Sequence, residues 1–300
     1  MRLSTMILSV RRWRDGGRDQ WVRAERLGFH AAYTYDHLSW RSLRDRTWFG
    51  AIPTLTAAAG VTERLRLGTM VTSPNFRHPV TLAKELISLD DISGGRITLG
   101  IGAGAAGFDA TVLGQEVWPP KERADRFAEF VPLLDRLLTE DVVSYDGTFY
   151  SAFEARGIPG CVQRPRIPFA VAATGPKALR VAARHGQAWV TTGDMRLWQN
   201  GGTPEQSLIA IRDQLARLGD TCAAEGRDVA DLDRILVTGF TPDRPLDSLD
   251  AFVEFAGQYK ALGFTEIVLH APVPDSMFEA SEEVFERIAT EGLAQLTGIR

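Results

Sequence analysis

Short apolar runs rich in β-branched residues recur along the chain at Leu3–Leu8, Ala31–Tyr35, Leu65–Val71, Ile97–Ile101, Phe169–Ala172, Ala188–Thr191, Arg234–Thr238 and Glu266–His270. Between them lie longer stretches whose apolar residues return every three or four positions, the spacing of one helix face. Asp19–Leu27 turns Trp21, Val22, Ala24 and Leu27 to one side. Trp48–Ala59 follows the second run, and Pro79–Asp91 carries Leu82, Leu86 and Leu89. Pro79 suits a first helical position and Gly94-Gly95 a stop. A fourth helix groups Phe127, Phe130, Val131, Leu134 and Leu138, with Pro132 inside it at a cost of about 3 kcal/mol or a kink. Later helices are predicted over Pro176–His185, Pro204–Glu225, Leu249–Leu262 and Ser276–Leu293.

Strand and helix thus alternate about eight times, which a closed (β/α)8 TIM barrel requires. Short strands that are almost wholly apolar suit a parallel sheet covered by helices. One stretch breaks the rhythm. Val142–Tyr150 reads as a hairpin turning at Asp146-Gly147, and the Pro/Gly-rich run Gly157–Pro168 continues it. Residues 141–168 are therefore expected to form an insertion between the fourth helix and the fifth strand of one domain over 1–300.

Composition narrows the function. Of the 300 residues, 44% are hydrophobic and 24% charged, as in a soluble globular protein with a large core. The net charge of −4 gives a nucleic-acid or membrane-surface role no electrostatic support. Cys161 and Cys222 make neither a disulfide framework nor a zinc site, so no metal and a cytoplasmic location are expected. Met1–Val10 is too short to cross a bilayer, and no signal-peptide cleavage pattern follows it.

In a barrel of this kind chemistry sits at the C-terminal ends of the strands. Tyr35-Asp36-His37-Leu38-Ser39-Trp40 follows the second strand and groups a carboxylate, an imidazole and an indole. The imidazole can move protons near neutral pH, and the indole offers a wall to a planar ligand. The bland alternative is a helix cap at Asp36 with a solvated His37. After the third strand, Arg77 could hold an anion and His78 could give a proton; capping of the next helix is the simpler reading for both. After the fourth strand, Gly102, Gly104 and Gly107 fit G-x-G-x-x-G, but Trp118-Pro119-Pro120 stands where a dinucleotide fold needs its helix and second strand. The glycines instead let backbone amides approach a phosphate. After the fifth strand, Pro176 starts a helix whose free amides near Thr174 can bind an anion.

In this order and spacing the chain resembles the luciferase-like superfamily, and within it the coenzyme F420-dependent oxidoreductases. The resemblance rests on Asp36-His37 with Trp40, Leu67-Gly68-Thr69 through Arg77-His78-Pro79, Ser93-Gly94-Gly95-Arg96 through Leu99–Gly104, Tyr145-Asp146-Gly147, Ala172–Pro176 and Leu269-His270-Ala271-Pro272. It implies a non-proline cis peptide at Met70–Val71 behind a deazaflavin ring. It implies cofactor contacts from Asp36, Met70, Val71 and Ser73, from Gly102, Ala103, Gly104 and Ala105, and from Ala173, Thr174, Gly175 and Pro176. It further implies His37 as general acid or base, Asp36 orienting it or bonding the ring edge, Trp40 beside the reacting atoms, and a homodimer.

Three departures separate the chain from the sugar-phosphate dehydrogenases of that group. Ala105 stands where they carry a glutamate, the loop Thr192–Trp198 has no match to their phosphate-gripping lysine, and His37 and Trp40 are one residue closer together. The expected substrate is therefore a less charged organic molecule, not a sugar phosphate, bounded by Trp40, Trp48 and Phe76. The rivals are an FMN-dependent monooxygenase and a non-catalytic cofactor-binding member.

Overall fold

Along β1 (Arg2–Met6) and the residues just after it, successive side chains go to opposite sides. Leu3 and Ile7 join one buried cluster, Met6 and Leu8 another. The same alternation continues in β2 (Ala31–Thr34), β3 (Arg66–Thr72), β4 (Ile97–Gly102), β7 (Phe169–Ala172), β8 (Ala188–Thr191), β9 (Asp233–Val237) and β10 (Glu266–His270). Adjacent strands pair in parallel in the closed order β1-β10-β9-β8-β7-β4-β3-β2. One cluster fills the cylinder with Met6, Tyr33, Met70, Val190, Ile235 and Val268. The other lies between the strands and the surrounding helices, with Leu67, Leu99, Phe169, Trp189, Ile267 and Leu269 on the strand side. The expected TIM barrel is thus present. The computed structural model describes residues 1–298; residues 299 and 300, part of the expected domain, lie outside the described residues.

The outer layer comprises α1 (Arg18–Arg26), α2 (Ala51–Ala59), α3 (Pro79–Ser93), α5 (Pro120–Thr139), α6 (Pro176–His185), α8 (Pro204–Ala224), α9 (Leu249–Ala261) and α10 (Glu282–Arg287), with the short α4 (Phe108–Thr111) and α7 (Met195–Gln199) near the mouth. α3 starts on Pro79 and stops at Gly94, whose left-handed φ of 65° closes the last turn without a Cβ penalty. α5 runs through Pro132 without interruption, because Phe127, Phe130, Val131, Leu133, Leu134, Leu137 and Leu138 are all buried and outweigh one missing backbone bond.

Three sequence expectations change. The hairpin turns at Asp146-Gly147 as expected, but its antiparallel strands β5 (Val142–Asp146) and β6 (Ser151–Arg156) extend past Tyr150. The helix expected over Ser276–Leu293 starts instead at Glu282, capped by Ser281, whose side chain accepts from Val284 N, and continues through a wider turn at Ile288–Gly292 into α11 (Leu293–Gly298). The short α4 and α7 lie where no helix is predicted.

Candidate active site

Strand parity decides which residues of the loop after β2 reach the barrel interior. Tyr33 and Tyr35 belong to the inner cluster, and Ala32 to the outer one. Asp36 is therefore carried away from the axis, and His37 back toward it. The outcome is visible in their partners. Asp36 is buried, and its carboxylate receives Arg77 in a bidentate pair at 2.7 and 3.0 Å and the Thr72 hydroxyl at 2.5 Å. Burial works to lower the Arg77 guanidinium, but its bonds to Asp36 outweigh that and raise it. So Arg77 does hold an anion, and the anion is Asp36. His78, with Nδ1 accepting from Val80 N, caps α3.

His37 borders a cavity of about 1390 Å3 at the C-terminal mouth. Its Nδ1 lies 2.7 Å from Asp109 Oδ2, whose other oxygen receives Leu38 N at 2.8 Å. A carboxylate only accepts, so Nδ1 carries a proton, which in the neutral ring leaves Nε2 as the acceptor. Trp48 Nε1 donates to the His37 carbonyl at 2.7 Å and fixes the backbone from the other side. Asp109, rather than the expected Asp36, is thus the carboxylate bonded to the His37 ring, and Asp36 instead ties the loop after β2 to β3 and the loop that follows it. Trp40 is buried along the cavity wall, stacked on Phe278 at 5.7 Å and tilted against Tyr35 at 5.2 Å.

The residues expected to hold a cofactor converge on the same cavity. Met70 and Val71 line it, and the peptide between them is cis. Gly102, Ala103, Gly104 and Ala105 form one side, and Ala173, Thr174, Gly175 and Pro176 form another. Gly104 has a φ of +76°, and a Cβ there would sit 2.6–2.8 Å from the Asn75 amide. The glycine thus keeps the turn close to Asn75 and leaves its own backbone bare toward the cavity. Ser73 also lines the space; its hydroxyl is buried and has no hydrogen-bond partner among the described residues. Such an orphan donor in a cavity wall suits a ligand with a polar edge. Amide-rich turns, small residues and an unsatisfied hydroxyl around a space larger than one small substrate fit a phosphate-bearing planar cofactor.

Several cavity residues carried no local signal. Arg41 and Arg44 follow Trp40 within the same loop. The Arg41 guanidinium lies over Trp40 at 5.4 Å and Phe240 at 5.7 Å, and Arg44 over Phe108 at 4.3 Å. Lys177, at the rim, pairs with Asp125. Deeper in the mouth Tyr35 Oη meets His270 Nε2 at 2.7 Å, and complete burial lowers the His270 imidazole to about 3. No group of three or more metal-ligating side chains occurs among the described residues, and no helix among them is long and apolar enough to cross a membrane.

The comparisons agree with this architecture. An F420-dependent glucose-6-phosphate dehydrogenase from Intrasporangium calvum is 37% identical over 233 residues, 75% of this chain and 65% of that one. A 4-hydroxyprotoasukamycin monooxygenase from Streptomyces nodosus subsp. asukaensis is 29% identical over 92% of this chain and 71% of its own. The coenzyme F420-dependent tetrahydromethanopterin reductase of Methanopyrus kandleri superposes with a TM-score of 0.76 at 19% identity, covering 98% of this chain and 99% of that chain. Six relatives, 31–37% identical, carry the glucose-6-phosphate dehydrogenase name, and the matches span 51–65% of their length. These six overturn the exclusion of a sugar phosphate. That exclusion leaned on a missing glutamate at Ala105 and a missing lysine after β8, yet cations line the cavity from other elements: Arg41 and Arg44 on the loop after β2, and Lys121 and Lys177, both paired with Asp125. Residues 13–243 match the luciferase-like monooxygenase family, and with the closed barrel around them they place the chain in that family.

Proposed function

We propose that the chain is an F420-dependent oxidoreductase that oxidises a hydroxyl-bearing carbon of an anionic substrate of the sugar-phosphate class. The observation that carries this reading is the meeting of two amide-rich turns, Gly102–Ala105 and Ala173–Pro176, with His37 on one cavity. The names of the six relatives supply the substrate class. The two turns would hold the cofactor's phosphate, Ser73 would donate to its polar edge, and Met70 and Val71 would back its ring.

When bound, a deazaflavin would supply a two-electron hydride acceptor. His37 accepts the substrate's hydroxyl proton at Nε2 while the carbon–hydrogen bond breaks, leaving a carbonyl; the proton then passes to water at the cavity mouth. Arg41 and Arg44 offer planar, permanently charged donors to the substrate's anionic group. Trp40 and Phe240 exclude water beside the reacting carbon. Parallel titration with F420 and FMN, followed by glucose 6-phosphate, tests the reading. Saturable F420 binding and bleaching on substrate addition are expected; tight FMN binding with oxygen uptake would replace it. Removing both guanidiniums in Arg41→Ala/Arg44→Ala should raise KM at least about tenfold and leave kcat within about threefold, since binding lost equally in ground and transition states appears in KM.

The monooxygenase reading has one specific support, the relative aligned over 92% of this chain, and the same titration decides it. We further take residues 1–300 as one domain of a cytoplasmic homodimer with no nucleic-acid partner. The net charge of −4 and two buried, unpaired cysteines support the compartment and the lack of a nucleic-acid partner. The homodimer follows the family resemblance, and sedimentation of the purified chain checks it.

A further inference from the structure

The loop after β4 contributes a second element to the proton chemistry. α4 is one turn long, and its Asp109 lines the cavity with Phe108 and Thr111 yet is only 2% exposed. A buried carboxylate on so short a helix needs partners to offset its desolvation. It has two, and both belong to the loop after β2: the His37 ring and the Leu38 amide. One oxygen is committed to each. The arrangement fixes the ring plane, its tautomer and its backbone together, and Arg44 over Phe108 closes the same contact from outside.

We infer that Asp109 is the positioning residue for His37, holding the proton on Nδ1 so that Nε2 stays an open acceptor for the substrate hydroxyl. This rests on the proposed role of His37 and deepens it. It also answers what Ala105 leaves open: the acid absent from the end of the glycine turn is supplied four residues later, directed at the imidazole.

The exchange Asp109→Asn tests the orientation directly. That side chain has one acceptor oxygen. If it keeps the Leu38 bond, its NH2 group meets Nδ1, which must then accept, and the proton moves to Nε2. An Asp-to-Asn exchange beside a catalytic imidazole lowers turnover about 10⁴-fold in serine proteases by imposing the wrong tautomer. Here Asp109→Asn should lower kcat about 10²–10⁴-fold while F420 affinity stays within about threefold. The double variant His37→Ala/Asp109→Asn should be no slower than His37→Ala, because a residue acting through His37 has nothing left to act on. Additive losses would overturn the inference.

A readout that needs neither cofactor nor turnover separates this from the functional reading. In the cofactor-free protein, nitrogen NMR of the imidazoles, assigned through His37→Ala among the five histidines, should show neutral His37 as the Nδ1–H tautomer. The Asp109→Asn protein should show the Nε2–H form. An Nε2–H tautomer in the wild-type protein would refute the inference even if every variant folds poorly. The Nδ1–H tautomer in a protein that binds no F420 would retain the positioning and remove the cofactor.

Discussion

At the N-terminal end of the barrel, Tyr33 donates to Glu266 at 3.0 Å, and Arg2 reaches the same carboxylate at 3.2 Å and Asp233 at 2.6 Å. At the C-terminal end, Asp109 holds His37 at 2.7 Å, and Arg77 holds Asp36 at the same distance. Both ends bury carboxylates beside cations or hydrogen-bond donors. The difference lies in what remains open. Glu266 is 2% exposed, and burial together with its charge raises the Tyr33 phenol well above its ordinary value, so Tyr33 stays a donor. None of the floor residues borders the cavity. At the mouth, His37 keeps one nitrogen uncommitted and borders the cavity. A closed set of partners stabilises a fold; a set with one open position can do chemistry. Gly68 shows how closely the floor is fitted, because a Cβ there would come within 3.0 Å of the Tyr33 ring.

The sharpest way to break this comparison is to remove one group from each end. His37→Ala should lower kcat about 10²–10⁴-fold, the usual worth of a positioned acid or base, and lower unfolding free energy by about 1–3 kcal/mol, because it removes one of the two partners of buried Asp109. Glu266→Ala should damage stability alone. It leaves the buried Tyr33 hydroxyl without its acceptor, while Arg2 keeps Asp233, at a cost of about 1–3 kcal/mol, and kcat per folded molecule stays within about twofold. Urea denaturation and steady-state kinetics on both variants check the pair. Comparable kinetic damage from both would show that the two ends are not separate in kind.

A smaller effect separates the two imidazoles of the mouth itself. His270 is fully buried and stacked on Phe278 at 3.9 Å. Burial depresses it from 6.5 to about 3, so the unfolded chain binds a proton that the folded protein refuses. That preference leaves stability intact above about pH 6.5 and removes it as pH falls from there toward 3, at up to about 1.4 kcal/mol per pH unit. His270→Gln should flatten the pH dependence of unfolding free energy between pH 6 and 4. An unchanged slope would mean that His270 is not held neutral by its surroundings.

Much of the barrel was legible in the sequence because its physics is local. Strands Phe169–Ala172, Ala188–Thr191 and Glu266–His270 have the expected bounds, since a run of apolar residues needs no distant information. The glycine turn and the Thr174 turn were legible because bare backbone is itself the signal, and the resemblance located the cis peptide between Met70 and Val71. The partners of the site were not legible. Asp109 meets His37 across 72 positions and Arg77 meets Asp36 across 41. Parity along β2 could have separated Asp36 from His37, because Tyr33 and Tyr35 fix which side faces inward. Nothing in the aperiodic stretch around Phe108 marks its aspartate as buried. The exclusion of a sugar phosphate failed for a related reason: departures at Ala105, in Thr192–Trp198 and in the His37–Trp40 spacing were read as a missing function, although Arg41 and Arg44 also line the cavity from another loop.

The most direct test of the site as a deazaflavin cradle is equilibrium titration of F420 into the wild-type protein and Gly104→Ala. At that glycine the left-handed φ and the Asn75 amide leave no room for a methyl group. The wild-type protein should bind one F420 per chain, and the variant, destabilised by about 1–3 kcal/mol through its strained φ, should bind at least about tenfold more weakly per folded molecule. Equal affinity in the two proteins, or no F420 binding by the wild type, would contradict the account.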